Sequence, residues 1–300
     1  MAKFQIKKIL VPVDYSKTSL RALDVAAKIS KTLKAEIILL HVSAGLYENL
    51  EPDYFSMTPL IPLADYQNSF IDQSNQHLNN LANKLKLQGI EKVSVMTSTG
   101  KIENEIIEQS KKTKADLIVM GTHGVSGITE FFVGSNTFRV IRNAKCPVLS
   151  IPKKTKVQIF KNILVPFRDK PHSREKVNYA IDLALMLSST LHILGIDTEF
   201  TKSHLRKIKL EAEQIKAIAK EYGVECKTKI ISNAYAGDVV LKQAKDISAD
   251  LIISMSDLDK MNLVEYFTGP FAQQIVNHSP IPVLSIRPKF NTDTIDLRFY

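Results

Sequence analysis

Four of the eleven glycines in the chain fall within fourteen residues: Gly121, Gly124, Gly127 and Gly134. They follow an apolar run ending at Met120, and Gly134-Ser135 opens a stretch with helical spacing. Glycine lets a backbone turn sharply and approach another group closely. The N–H groups of Ser135 and Asn136 at a helix start, with the macrodipole behind them, suit an anion such as a phosphate. The Ser135 hydroxyl adds a donor. A glycine-rich turn ahead of a helix is equally an ordinary structural turn. Neither G-x-x-x-x-G-K-[ST] nor G-x-G-x-x-G occurs, so a Walker-type ATPase and a dinucleotide fold gain no support. Hydrolysis would need a positioned base or metal. His123 and Glu130 lie near the glycines but read better as solvated loop residues. The seven histidines form no H-x-x-H or H-E-x-x-H pattern. Cys146 and Cys226 form no C-x-x-C pair and no disulfide framework.

The elements that must position these groups are written twice. Lys7-Lys-Ile-Leu-Val-Pro-Val13 recurs as Lys161-Asn-Ile-Leu-Val-Pro-Phe167, Ala115-Asp-Leu-Ile118 as Ala249-Asp-Leu-Ile252, and Pro147-Val-Leu-Ser-Ile151 as Pro282-Val-Leu-Ser-Ile286. The offsets of 154, 134 and 135 residues keep their order, and their drop implies an extra loop in the first copy. So long a period means duplicated domains rather than a solenoid. We expect domains at 1–152 and 157–288, with a tail at 289–300. Within the first copy, short apolar runs at 9–13, 36–42, 92–97, 116–120 and 147–151 read as strands. Helical spacing covers 16–33, capped by Ser16, then 67–87, 102–112 and 135–143. An irregular loop with three prolines is expected over 45–66. The β-α alternation with near-continuous apolar strands predicts an α/β fold: two tandem doubly wound, five-stranded parallel-sheet domains. Ligands of such sheets sit beyond the carboxyl ends of the strands where winding reverses, here after Val13, Val42 and Met120. The fifth strands, identical, apolar and terminal in their units, are expected to pair the copies as a pseudo-dimer.

Gly121-Thr-His-Gly124, nine residues, then Gly134-Ser135 resembles the G-x2-G-x9-G-[ST] signature of the universal stress protein family. The runs before and after it, and Ile9-Leu-Val-Pro-Val-Asp14, fit the same pattern, so the resemblance covers the chain as two tandem copies. It implies an adenine-nucleotide alpha-hydrolase-like fold and, in the first copy, the ATP-binding branch. By position it implies that Pro12, Val13 and Asp14 meet the adenosine and that the Val42 backbone bonds adenine. Met120 and Gly121 would line the nucleoside pocket. Gly124, Gly134, Ser135 and Asn136 would surround the phosphates through backbone N–H groups and the Ser135 hydroxyl. Asp14 reads equally as a cap for the helix near Ser16, and Pro12 as a strand terminator.

The second copy departs from the signature. Arg168 aligns with Asp14, and at an offset of 135 Ser256 aligns with Gly121, Asp259 with Gly124, Asn262 with Gly127 and Gly269-Pro270 with Gly134-Ser135. Pro270 offers no N–H, and Asp257 and Asp259 would repel phosphate. The expected function is therefore that of an ATP-binding regulatory stress-response protein. The nucleotide is held by the first domain, and the second is structural or binds a partner. A slow ATPase using the same pocket, or a nucleotide-independent scaffold for small molecules or proteins, is the alternative. Mg2+ accompanies ATP in many phosphate sites and is admitted on that ground. The 40 basic and 31 acidic residues give a net charge of +9, spread as 18 against 14 up to Pro152 and 22 against 17 beyond it. With no dense basic block, nucleic acid is not an expected partner. No apolar run reaches the ~18 residues of a membrane span, and the first residues lack a secretory pattern. A cytoplasmic protein with an unknown regulatory partner is expected; homodimerisation is compatible with the sequence but not fixed by it.

Overall fold

The computed structural model describes residues 4–43, 63–122, 133–169, 175–232, 236–256 and 271–287. In the first half, β1 (Lys8–Pro12), α1 (Lys17–Leu33), β2 (Glu36–Ser43), α2 (Leu63–Leu87), β3 (Val93–Thr99), α3 (Ile102–Lys112), β4 (Leu117–Gly121), α4 (Ser135–Asn143) and β5 (Val148–Ile151) alternate. The second half repeats the order with β6 (Asn162–Phe167), α5 (Glu175–Leu187), β7 (Thr190–Asp197), α6 (Lys202–Glu221), β8 (Cys226–Ser232), α7 (Ala236–Asp246), β9 (Leu251–Met255), α8 (Phe271–His278) and β10 (Val283–Ile286).

The strands lie in the order β3-β2-β1-β4-β5-β10-β9-β6-β7-β8. Each half is a parallel sheet, and the expected pairing of fifth strands is present: β5 and β10 run antiparallel, Leu149 opposite Leu284. The two expected sheets are thereby one ten-stranded sheet. The cause is geometric, because two twofold-related terminal strands present their free edges to each other in ladder register. Around that seam the Ser150 hydroxyl donates to the Val283 carbonyl at 3.2 Å. The Phe4 N–H donates to the Asp182 carboxylate at 2.8 Å, and the Phe4 ring meets Tyr179 at 4.9 Å.

Helices cover both faces. Ala22, Val25 and Ile29 of α1 join Leu78 of α2, Ala180 of α5 and Ile208 of α6 against one face. Ile106 of α3, Val140 of α4, Val240 of α7 and Ile275 of α8 cover the other. Burying a side chain such as Ile29 stabilises by about 1.5–3 kcal/mol. Ser16 caps α1 as expected, accepting from the Ser19 N–H at 3.1 Å. The expected start of α2 at residue 67 was late, for α2 begins at Leu63; the rest of the 45–66 loop lies outside the described residues. The repeated Asp of Ala-Asp-Leu-Ile ties strand starts together. Asp116 accepts from the N–H groups of Lys7 and Lys8 (2.8 and 2.9 Å), and Asp250 from those of Lys161 and Asn162 (2.8 and 3.0 Å).

Candidate nucleotide site at the split between β1 and β4

Winding reverses between β1 and β4, since β2 and β3 lie on one side of β1 and β4 and β5 on the other. These two strands pair only at Ile9–Leu117 and Leu10–Ile118. β1 stays paired with β2 to Pro12, and β4 with β5 to Gly121. The sheet therefore splits into a crevice at its carboxyl end. Pro12, which has no N–H to give a ladder, stands where the one to β4 has already ended.

Along this crevice, Val13 is buried and donates its N–H to the Leu40 carbonyl at 2.8 Å. Its own carbonyl lies 2.7 Å from His41 Nδ1, which as the partner of an oxygen acceptor carries the proton. Polar groups of alternate residues in a strand face the same neighbour. With Leu40 facing β1, the N–H and C=O of Val42 also point that way, beyond the last residue of β1. Asp14 Oδ1 accepts from the Ser16 N–H at 3.0 Å, in the turn just ahead of the helix that Ser16 itself caps, and the carboxylate is half-exposed at the crevice. The turn continues through Tyr15 at φ +62°, whose ring lies against His41 and His77 at 5.1 and 5.6 Å. Tyr15 donates its hydroxyl to the Ser74 carbonyl at 3.2 Å, and burial pushes its pKa up.

On the opposite lip, Met120 is buried against the α3–α4 side. Gly121 has an internal reason to be glycine: a Cβ there would come within 2.7 Å of Thr18 Cγ2 and 3.0 Å of the Thr18 carbonyl carbon. The Gly121 carbonyl accepts from the Thr137 hydroxyl at 2.9 Å, which pins the first turn of α4 to the end of β4. Gly134 donates its N–H to the Thr122 carbonyl at 2.7 Å, so that group is not available to a phosphate, contrary to the expectation for Gly134. What Gly134 can offer is its missing side chain. Its φ of −56° suits any residue, and among the described residues a Cβ there would meet only the Thr122 carbonyl oxygen at 3.4 Å. Nothing among the described residues requires glycine at this place. Gly134 is the N-cap of α4 and supplies no side-chain cap to the first-turn N–H groups, among them those of Ser135 and Asn136. Ser135 is exposed and Asn136 half-exposed. Gly124 and Gly127, with His123 and Glu130, lie outside the described residues.

Thr18, Tyr15, His41 and Thr137 escaped the sequence reading. Only the spacing of Thr137 within the first turn of α4 could have pointed to one of them. In the second half, Asp197 at the end of β7 is buried and accepts from the N–H groups of Glu199 and Phe200, from His204 Nδ1 at 2.5 Å and from the Ser232 hydroxyl at 3.0 Å. The His204 bond is the foremost cause that holds its carboxyl below the usual range. Among the described residues no group of three potential metal-ligating side chains is placed to hold an ion. No helix among them is long and apolar enough to cross a membrane.

The model of the universal stress protein family matches residues 5–152 and again 159–287. Two universal stress proteins of Methanocaldococcus jannaschii are similar to one half. MJ0531 is 33% identical over 50% of this chain and 84% of its own length. MJ0577 is 35% identical over 49% and 96%. The crystal structure of a universal stress protein from Archaeoglobus fulgidus shares the fold over 96% of this chain and 98% of its own, with a TM-score of 0.75 at 21% identity. Two matches in tandem, on two halves built alike and joined in one sheet, make the chain a member of the universal stress protein family.

Proposed function

We propose that the protein is an ATP-binding regulator of the stress response, with the nucleotide held at the β1–β4 split and the second half structural or partner-binding. The observation that supports this reading is Gly134. Among the described residues it is a glycine without an internal steric reason, at the N-cap of a helix to which it gives no side-chain cap, within the family's G-x2-G-x9-G-[ST] signature. Ser135 and Asn136 then face the phosphates with their N–H groups, and Gly134 leaves room for them to approach. Val42 presents its backbone to the adenine edge. Pro12, Val13 and Asp14 flank the nucleoside from β1, Met120 and Gly121 flank it from β4, and Gly124 completes the phosphate segment.

Mg2+, if bound, arrives with the phosphates, and the nucleotide's occupancy alters contacts with a regulatory partner in the cytoplasm. Working domain limits are 1–152 and 157–288 with a tail at 289–300, and a homodimer of the chain is compatible with this role. The test is to denature the purified protein and identify released nucleotide by mass spectrometry, then to titrate ATP calorimetrically into wild type and Gly134→Asp. ATP bound by wild type and lost in a folded Gly134→Asp is the expected result. Equal affinity in the two would remove the reading.

A further inference from the structure

The same crevice exists in the second half, where β6 and β9 pair only at Ile163–Leu251 and Leu164–Ile252. What lines it is different. The backbone register fixes the correspondence, since Thr122 N–H donates to the Ile151 carbonyl and Ser256 N–H to that of Ile286. Ser256 therefore stands for Thr122, and Met255, not Ser256, for Gly121. At two of the positions that flank the crevice the second half carries a larger apolar side chain. Met255 is buried at the place of Gly121, whose missing side chain in the first half accommodates Thr18, and joins the apolar cluster that contains Phe167. Phe167 replaces Val13 and is fully buried, over Gly195 in the place of His41. A Cβ at Gly195 would meet the Phe167 ring at 3.2 Å and Ile208 Cγ2 at 2.6 Å, so the ring and the glycine fit each other.

Across the mouth, Arg168 takes the position of Asp14. Phe271 takes that of Asn136, as the matching helix-end bonds of Ala144 to Val140 and Ser279 to Ile275 require. The Arg168 guanidinium carbon lies 4.3 Å from the Phe271 ring centroid. A cation over an aromatic face at this distance is attractive.

We infer that the second crevice is closed by its own side chains, the Arg168–Phe271 contact bridging the two elements that a nucleotide would bridge in the first half, so that the chain binds one adenine nucleotide and not two. This rests on the reading of the first half for its count, but the closure stands on the second half alone. Met255 and Phe167 are buried at the strand ends where the first half has Gly121 and Val13, and Arg168 on Phe271 ties the end of β6 to the start of α8.

Two measurements on the full chain decide it. Calorimetric titration with ATP should saturate near one equivalent in wild type and at none in Gly134→Asp. Should that variant not fold, Ser135→Pro serves, since it copies Pro270 and proline suits a first helical position. Two equivalents in wild type, or one surviving in either folded variant, overturns the inference. Unfolding of the nucleotide-free chain gives the second arm. Arg168→Ala should lower the midpoint by roughly 2 °C and speed hydrogen exchange at the start of α8. An unchanged midpoint and unchanged exchange overturn the bridge. No ATP uptake by wild type would count against the proposed function, and this second arm would then decide the closure by itself.

Discussion

Glycines 121 and 134 look alike in the sequence and do opposite work in the structure. At Gly121 an added methyl collides with the Thr18 side chain and presses on its backbone, and overpacking of this kind costs about 1–3 kcal/mol. At Gly134 the methyl has room among the described residues. In urea denaturation, Gly121→Ala should lose stability in that range, whereas Gly134→Ala should stay within about 1 kcal/mol of wild type while weakening ATP. The two cysteines also behave predictably. Burial pushes the thiols of Cys146 and Cys226 up to about 11 from 9.0, a roughly hundredfold loss of thiolate near neutral pH. Both should resist a thiol reagent at pH 8 in the folded protein and react promptly once it is unfolded. At Asp197 the depressed folded pKa fixes the sign of a pH effect. Its contribution is complete above the ordinary aspartate pKa of about 3.9 and is lost as pH falls through the lower folded value. The stability gap between wild type and Asp197→Asn, followed by denaturation at several pH values, should therefore narrow as pH falls below about 4.

Among the elements, the duplicated Ala-Asp-Leu-Ile segment shows how a strand start is fixed. A buried apolar strand has no side-chain means of choosing its register against an equally apolar neighbour. The carboxylate of Asp116, accepting from two consecutive N–H groups at the start of β1, supplies it. Asp116→Ala should cost about 1.5–3 kcal/mol by the loss of charge-assisted bonds, measured by chemical denaturation, and should loosen amide exchange at Lys7 and Lys8 first. α4 depends on its surroundings in the same way. At nine residues it is too short to stand alone, and it is held by Val140 and Ile141 in the core and by Thr137 on Gly121. The start of α4 is thus set by the end of β4, not by its own sequence.

Over the whole molecule, the antiparallel β5–β10 seam turns two domains into one sheet. The buried Ser150 lies on it, opposite Val283. Ser150→Lys would put an ammonium into that seam at a cost of several kcal/mol. The wild-type chain should unfold in urea as one transition. The variant should give two, as the halves part, when followed by fluorescence labels placed one in each half.

The sequence by itself determined the elements and their duplication. Apolar runs such as 9–13 and 147–151 have few neighbours to consult, and Ser16 caps α1 through atoms three residues away. The glycine spacing and the strand before it were enough to locate the candidate site. Three things were decided only by tertiary contact. The start of α2 at Leu63 has no strong local signal. The one-residue shift that places Met255 at the position of Gly121 comes from the ladder to β10, since a repeat with an internal offset change cannot be aligned by counting. The distinct roles of Gly121 and Gly134 depend on Thr18 and Thr122, one 103 residues away in the chain and the other across the signature segment. Local spacing carries periodicity and caps, but which atoms crowd a Cβ is a property of segments brought together by the sheet, and no run of sequence contains it.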